Sequence, residues 1–212
     1  MSEPIKCSSK KSEEPGLDQK FWDERWKTKD TGWDMNGVSP PLKVYIDTIV
    51  NKEISILIPG CGNAYEAEYL LDNGFTNVTL MDISPTLVED LLKKFEKYAG
   101  KELTIICGDF FKHDGKYDII LEQTFFCALT PGLRKAYVEK MYALLRENRK
   151  LVGLLFDKQF DSSPPFGGSK QEYVELFSGK FEIENMEACT TSIPARLGTE
   201  LFFELKKKND QA

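Results

Sequence analysis

Two glycines and one aspartate carry the clearest chemical signal in this sequence. Gly60 and Gly62 follow the apolar segment 54–58, and Asp82 directly follows the apolar segment 76–81. Glycines that end a buried strand allow a tight turn into a helix, where backbone N–H groups face a polar ligand. A carboxylate about twenty residues further on is typical of an α/β unit that binds ribose hydroxyls. The spacing therefore favours a nucleotide-like ligand.

A structural alternative exists for each of these residues. Two glycines also occur in ordinary tight turns, and Tyr65 stands where the dinucleotide fingerprint has its third glycine. Asp82 could cap the helix predicted to begin near Pro85, although Ser84 and Pro85 can start that helix without it. We favour the ribose role for Asp82.

Polar and aromatic side chains also follow the next two predicted strands. Strand 103–107 leads into Asp109 and Phe110, which could contact the amino group and the face of an adenine. A turn aspartate beside a core phenylalanine explains the same pair equally well. Strand 117–121 leads into segment 122–126, the usual position for residues that face a reacting centre.

Three tryptophans precede the first predicted strand. Trp22 and Trp26 lie one helical turn apart, and Trp33 follows in a loop. One interpretation is a hydrophobic helix that packs on the domain. The alternative, which we favour, is a lid of electron-rich rings over the glycine turn that holds a cation and excludes water.

These residues require a parallel sheet that brings the strand ends together. Five apolar runs alternate with helical patterns, as in a doubly wound α/β fold. The runs are 54–58, 76–81, 103–107, 117–121 and 151–156. Residues 157–168 form a Pro- and Gly-rich loop, which predicts a lid or a pocket wall. The last two strands, 181–186 and 201–206, have no helix between them, which predicts an antiparallel pair and one antiparallel strand in the sheet.

Composition argues against several functional classes. The 212 residues carry a net charge of −6, so nucleic acid is not an expected partner. The basic run 206–208 is interpreted as a solvated strand edge. Five widely spaced cysteines without a CxxC pair predict reduced thiols, with neither a disulfide framework nor a metal site. No apolar run reaches membrane-spanning length, so no membrane association is expected.

The chain is expected to contain one folded domain. Residues 1–16 are rich in Ser, Lys, Glu and Pro and lack an apolar signal region, which predicts a flexible tail and a cytoplasmic protein. Residues 17–212 are expected to form a single domain that acts as a monomer.

Six segments, taken together and in this order, resemble the thiopurine methyltransferase superfamily. They are Phe21-Trp-Asp-Glu-Arg-Trp26, Ile58-Pro-Gly-Cys-Gly62, Met81-Asp-Ile-Ser84, Gly108-Asp-Phe-Phe111, Phe125-Phe-Cys-Ala-Leu129 and Ser192-Ile-Pro-Ala-Arg196. The resemblance spans residues 17–206 and is strongest to the halide and thiol methyltransferases. It implies a Rossmann-like class I methyltransferase, with helices on both faces of a mostly parallel seven-stranded sheet. It also implies S-adenosylmethionine as cofactor and S-adenosylhomocysteine as product.

The resemblance also implies roles for individual residues. The cofactor-binding set comprises Trp22, Trp26 and Trp33 around the sulfonium, Gly60 and Gly62 beneath it, Asp82 at the ribose, Asp109 and Phe110 at the adenine, and Glu122 and Gln123 near the methyl group. The candidate acceptor pocket comprises Phe126, Phe156, Phe166 and Arg196. Two positions depart from the pattern. Thiopurine enzymes often have an arginine where Gln123 stands, and halide and thiol enzymes tend to have a tyrosine that aligns with Phe156.

The predicted function is methyl transfer to a small nucleophile, a thiol, hydrosulfide or halide ion, by in-line displacement. The single histidine, His113, is expected to face solvent, so no general base is evident. A thiol of pKa about 8.5 already supplies some thiolate near neutral pH. The alternatives are a thiopurine-type S-methyltransferase, a nicotinamide-dependent oxidoreductase without a candidate proton donor, and a non-catalytic protein that binds S-adenosylmethionine. The sequence does not rank the possible acceptors.

Overall fold

The computed structural model describes residues 16–209. The predicted tail, apart from Gly16, lies outside this range, as does Cys7. The strands are β1 Ile56–Pro59, β2 Val78–Asp82, β3 Leu103–Cys107, β4 Tyr117–Glu122, β5 Leu145–Phe156, β6 Phe181–Ala188 and β7 Glu200–Lys207. The α-helices are α1 Gln19–Thr28, α2 Pro40–Asp47, α3 Tyr65–Asp72, α4 Pro85–Lys94, α5 Arg134–Leu144 and α6 Lys170–Phe177.

The strands form one sheet in the order β3-β2-β1-β4-β5-β7-β6. Strands β1 to β5 are parallel to one another, whereas β7 runs antiparallel to both β5 and β6. The predicted fold class, a seven-stranded α/β sheet with one antiparallel strand, is confirmed. The strand order reverses between β1 and β4, the place where open α/β sheets bind ligands at the carboxyl ends of their strands.

Alternate residues of β1 pack into two separate hydrophobic clusters. Ile56 and Ile58 join the cluster that contains residues of α2, α3 and α4, and Leu57 joins the cluster that contains residues of α5 and α6. Successive side chains of a strand point to opposite faces, so helices cover both faces of the sheet. Burial of each such aliphatic side chain contributes about 2 kcal/mol. This packing fixes where the strands end and therefore where the site lies.

Two expectations about basic side chains are wrong. Lys207 is 4% exposed, and its Nζ donates to the Leu145 carbonyl at 3.0 Å and pairs with Glu147 at 2.7 Å. Its strand, β7, lies inside the sheet and not at an edge. His113 is partly buried and not solvent-facing, since a ring nitrogen lies 2.8 Å from the Tyr117 hydroxyl. Burial lowers the pKa of His113 below its usual value.

Candidate cofactor and acceptor site

A cavity of about 950 Å³ opens at the carboxyl ends of the parallel strands. Eleven of the fourteen residues predicted for the site line it: Trp22, Trp26, Trp33, Gly60, Gly62, Asp82, Asp109, Phe110, Gln123, Phe156 and Arg196. Their arrangement follows the strand order. Asp109 follows β3, Asp82 ends β2, the glycine turn follows β1, Gln123 follows β4 and Phe156 ends β5.

The glycine turn forms the floor of the cavity with bare backbone. Gly60 and Gly62 have φ of +56° and +51°, in the left-handed region that favours glycine. A Cβ atom on Gly60 would lie 2.4 Å from Cδ2 of Phe125, which is too close for any side chain. Glycine at position 60 is therefore required by the packing of Phe125.

Asp82 presents a buried carboxylate at the end of β2. Its Oδ1 accepts from the Ser84 N–H at 3.0 Å, and its Oδ2 accepts from the Gly62 N–H at 3.4 Å. Burial raises the pKa of Asp82 above its usual value, and these N–H groups oppose the shift. The cap of α4 is made by Ser84, whose Oγ accepts from the Leu87 N–H at 3.2 Å. Asp82 is therefore not needed as the cap, and it lines the cavity.

Asp109 and Phe110 line the cavity at the end of β3. The Asp109 Oδ1 accepts from the Phe111 N–H at 2.9 Å, in a short turn after the strand. Phe110 is 5% exposed, and its ring packs edge to face on Phe125 with the centroids 5.0 Å apart. Phe110 therefore combines both sequence interpretations, since it belongs to the core and also borders the cavity.

The three indoles form one cluster above the glycine turn. The Trp33 ring lies edge to face against Trp22 and Trp26, with centroid distances of 5.7 and 5.8 Å. Ring atoms of Trp26 lie 3.9 Å from the position of a Cβ on Gly62. This arrangement provides π surfaces beside the turn, which suit a positively charged group.

Asp23 attaches the tryptophan-bearing helix α1 to the start of α4. This buried carboxylate accepts from the Ser84 hydroxyl at 2.7 Å and from the Thr86 N–H at 2.9 Å. It also pairs with Lys27 at 2.6 Å, and the hydrogen bond from Lys27 is the largest reason why the pKa of Asp23 lies well below its usual value. Sequence reasoning missed Asp23, because its partners are 61 and 63 residues away.

Three further hydrogen bonds hold the Trp33 loop. The Asp34 carboxylate accepts from the Asn63 side-chain amide and, at 3.3 Å, from the Tyr65 hydroxyl, which ties the loop to the glycine turn. On the other side, Arg196 donates to the Trp33 carbonyl at 2.8 Å. Residues 33 and 34 are thus held to two different segments of the chain.

The part of the cavity beside β4 and β5 combines a guanidinium, an aromatic ring and two prolines, in contrast to the bare backbone of the glycine turn. The Arg196 guanidinium lies 5.5 Å from the centre of the Phe156 ring and pairs with Glu200 at 3.3 Å. Pro164 and Pro165 from the predicted loop also line this part. Gln123 has a buried side-chain amide whose nitrogen and oxygen both lack a hydrogen-bond partner among the described residues.

Glu122 and Phe126 are not in the cavity lining, contrary to the sequence prediction. The Glu122 side chain is fully buried, accepts from the Phe125 N–H at 2.9 Å and from the Tyr137 hydroxyl at 3.2 Å. The Phe126 ring packs in the core, 5.0 Å from the Tyr137 ring. After β4 the chain turns through Thr124 at φ +61°, and lining and core residues alternate along this segment, with Gln123 and Phe125 in the lining and Glu122 and Phe126 in the core.

Phe166 also lies outside the lining. Its N–H donates to the Cys127 carbonyl at 2.7 Å, so it fastens the proline-rich loop to the segment after β4. The preceding two prolines occupy the wall that the resemblance assigned to Phe166.

The structure describes residues 16–209. In this range no group of three or more His, Cys, Asp or Glu side chains is placed to hold a metal ion. None of the helices in the same range is long and apolar enough to cross a bilayer.

Strand β7 lies between β5 and β6, the glycine turn follows β1, and acids stand at the ends of β2 and β3. This combination defines the class I methyltransferase fold. Solved structures agree with this class. A 1,6-didemethyltoxoflavin-N1-methyltransferase from Burkholderia thailandensis superposes with a TM-score of 0.72 at 16% identity, over 90% of this chain and 87% of that chain. Residues 17–204 match the family described as thiopurine S-methyltransferase (TPMT), and the chain belongs to this family.

Curated relatives lie on both the thiol and the thiopurine side of the family. A probable thiol methyltransferase 2 from Arabidopsis thaliana is 30% identical over 89% of this chain and 85% of its own length. Thiocyanate methyltransferase 1 from Brassica oleracea is 28% identical over 89% of this chain and 85% of its own length. A thiopurine S-methyltransferase from Methylococcus capsulatus is 26% identical over 81% of this chain and 86% of its own length. The predicted family and the prediction of a methyltransferase enzyme are confirmed, and the oxidoreductase alternative is wrong.

Proposed function

We propose that this chain transfers a methyl group from S-adenosylmethionine to a small thiol, hydrosulfide or halide acceptor. The observation that carries the proposal is the cluster of three packed indoles beside the glycine turn, in a cavity with carboxylates at the ends of β2 and β3. Indole faces attract cations, and carboxylates accept from hydroxyl and amino groups. These groups match the sulfonium, the ribose and the adenine of one ligand.

When bound, S-adenosylmethionine supplies a methyl group whose bond to sulfur breaks as the acceptor lone pair forms the new bond, the electrons staying on the sulfur of S-adenosylhomocysteine. The residues at the ends of β1 to β3 and on α1 hold the cofactor. Asp82 accepts from the ribose hydroxyls, and Asp109 with Phe110 receives the adenine. Trp22, Trp26 and Trp33 surround the sulfonium.

The remaining task is to orient the acceptor and to exclude water. His113 is not among the residues that line the cavity, and Glu122 is sealed in the core. Cys127 does line the cavity, but burial raises the pKa of its thiol well above the usual value, so it stays protonated. Halides are always ionised, and thiols are partly ionised near neutral pH. Alignment for in-line displacement therefore suffices without a base.

The test is an acceptor panel with S-adenosylmethionine labelled in the methyl group. Iodide, hydrosulfide, thiocyanate, a small organic thiol and a thiopurine are each incubated with the protein, and labelled product is measured in headspace and solution. We expect product from at least one of the small acceptors, and none in a matched sample saturated with S-adenosylhomocysteine. Binding of the cofactor by calorimetry with no product from any acceptor would identify a non-catalytic protein, and product from the thiopurine alone would identify the thiopurine-type alternative.

We also propose that residues 17–212 act as one monomeric domain in the cytoplasm. The match to the family over residues 17–204 supports the domain, and the four cysteines of residues 16–209 are free thiols, which supports a reducing compartment. Light scattering after size-exclusion chromatography checks the monomer, and a mass of two chains or more would contradict it.

A further inference from the structure

We propose that Arg134 is a positioning residue, which fixes the proline-rich wall of the cavity and thereby sets the size of the acceptor that the site admits. This inference rests on the proposed function, because the wall borders the acceptor side of the same cavity. Arg134 is not among the residues that line the cavity, so it acts on the acceptor through the loop 157–168.

The wall depends on other residues for its position. It consists of Pro164 and Pro165, which line the cavity within a loop that has neither helix nor strand. Proline has no N–H, so neither residue can donate a backbone hydrogen bond. At the base of the loop the Gly168 N–H donates to the Lys158 carbonyl at 3.0 Å. This bond joins the two ends of the loop and does not reach the prolines near its middle.

Two hydrogen bonds attach the chain directly after the prolines. The Phe166 N–H donates to the Cys127 carbonyl at 2.7 Å, and Nη2 of Arg134 donates to the Gly167 carbonyl at 2.6 Å. Among residues 16–209, no other side chain donates a hydrogen bond to segment 159–168. The first bond joins two backbones and is independent of side-chain identity. Arg134 is therefore the side chain on which the position of the wall depends.

Arg134 is itself held between the core and the wall. It is the first residue of α5, and its guanidinium carbon lies 5.0 Å from the centre of the Phe126 ring. Its Nε is buried and has no hydrogen-bond partner among the described residues. An unpaired buried donor costs free energy, so the remaining contacts of the guanidinium have to outweigh that cost. Phe126 and Cys127 are adjacent, so both attachments of the wall lead to the same segment after β4.

A fixed wall has a direct consequence for methyl transfer. In-line displacement requires the acceptor to be aligned with the methyl group, and a misplacement of about 1 Å can cost on the order of a hundredfold in rate. A wall that moves would align a small acceptor poorly, because the space around it would widen. The same widening would admit a bulky acceptor more easily.

The experiment measures the attachment of the wall separately from turnover. The variants are Arg134→Met, which keeps an unbranched stem but removes the donors, and Arg134→Lys, which keeps the charge. Lys135→Met is the matched control, because Lys135 is the next residue, is exposed and lies outside the cavity lining. Amide hydrogen exchange at Phe166 is followed by NMR in protein saturated with S-adenosylhomocysteine, with the buried Leu151 amide of β5 as internal reference. KM and kcat are then measured for hydrosulfide, a small acceptor, and thiophenol, a bulky one.

We expect Arg134→Met to accelerate exchange at Phe166 by about tenfold or more, the loss expected for one hydrogen bond to a charged group, while exchange at Leu151 and the S-adenosylhomocysteine Kd stay unchanged. Its kcat/KM for hydrosulfide should fall by about tenfold or more, and its kcat/KM for thiophenol should fall by less or rise. Arg134→Lys should give intermediate values, because it keeps the charge but not the fork of donors. Lys135→Met should behave as the wild type.

Three results would overturn the positioning role of Arg134. The first is unchanged exchange at Phe166 in both Arg134 variants. The second is equal acceleration at Phe166 and Leu151, which would show a general loss of stability. The third is an equal loss of kcat/KM for hydrosulfide and thiophenol. If Arg134→Met does not fold, the same three criteria are applied to Arg134→Lys. Faster exchange confined to the loop, without methylated product from either acceptor, would leave the attachment of the wall standing and refute the proposed function alone.

Discussion

Replacement of Gly60 by alanine tests whether the glycine turn is constrained by its contact with Phe125. Gly60 and Gly62 both have positive φ, so an alanine at either position costs about 1–2 kcal/mol in backbone strain. At Gly60 the new Cβ would also lie 2.4 Å from Phe125, whereas at Gly62 the nearest atoms are 3.9 Å away. Overpacking adds about 1–3 kcal/mol. We therefore expect Gly60→Ala to lose about 2–5 kcal/mol of unfolding free energy and Gly62→Ala about 1–2 kcal/mol.

The assay is urea unfolding of both variants, with the S-adenosylhomocysteine Kd measured by calorimetry. Gly74→Ala provides the matched control, because Gly74 has φ +82°, no atom within 4 Å of its Cβ position and no place in the cavity lining. Its loss should equal that of Gly62→Ala, without any change in cofactor affinity. Equal losses for Gly60→Ala and Gly74→Ala would refute the steric argument.

Three further predictions follow from buried contacts around the site. Asp23→Ala should cost about 3 kcal/mol in urea unfolding and weaken cofactor binding, because α1 loses its buried acceptor, whereas Lys27→Ala removes an exposed partner and should cost much less. Trp33→Leu should raise the S-adenosylmethionine Kd by about 2–30-fold through the lost cation–π contact, and the Kd of neutral S-adenosylhomocysteine by less; equal changes in calorimetry would contradict the cation role. Burial raises the pKa of Glu122 to about 7, so the folded state holds this proton more tightly and the contribution of Glu122 to stability falls as pH rises from 4.5 to 7. Relative to Glu122→Gln, the wild type should lose up to about 3 kcal/mol between pH 5 and pH 8, and parallel urea curves for the two proteins would exclude the shift.

The sequence predicted those parts of the fold and site that depend on local pattern. The strands that lead to Gly60 and Asp82 are apolar runs with clear ends, and a parallel sheet necessarily gathers their carboxyl ends. Lys207 was misjudged because its burial depends on the spatial order of β5, β7 and β6, which differs from the chain order.

The sequence also misplaced Glu122 and missed Asp23, in both cases because the position of the side chain depends on the three-dimensional structure and not on local spacing. Glu122 and Gln123 are adjacent, yet one is sealed in the core and the other borders the cavity, because successive side chains at the end of β4 point to opposite sides. Asp23 was missed because its role appears only when α1 packs on α4. The predicted places of Phe156 and Arg196 in the lining came from the family resemblance, and no spacing rule relates them.

The strand order also explains how one cavity can serve a cationic cofactor and an anionic acceptor. Asp82 at β2 and Phe156 at β5 are separated by three strand spacings, about 14 Å. At an effective dielectric constant of 20, an anion beside Phe156 is repelled by the Asp82 charge by about 1 kcal/mol, whereas a cation in contact at 4 Å attracts it by about 4 kcal/mol. Arg196 packs on Phe156, so its positive charge lies much closer to an anion there than the Asp82 carboxylate does, while its ion pair with Glu200 reduces the net attraction. A carboxylate at the end of β4 would reverse this balance, and the acid that stands there, Glu122, is turned into the core.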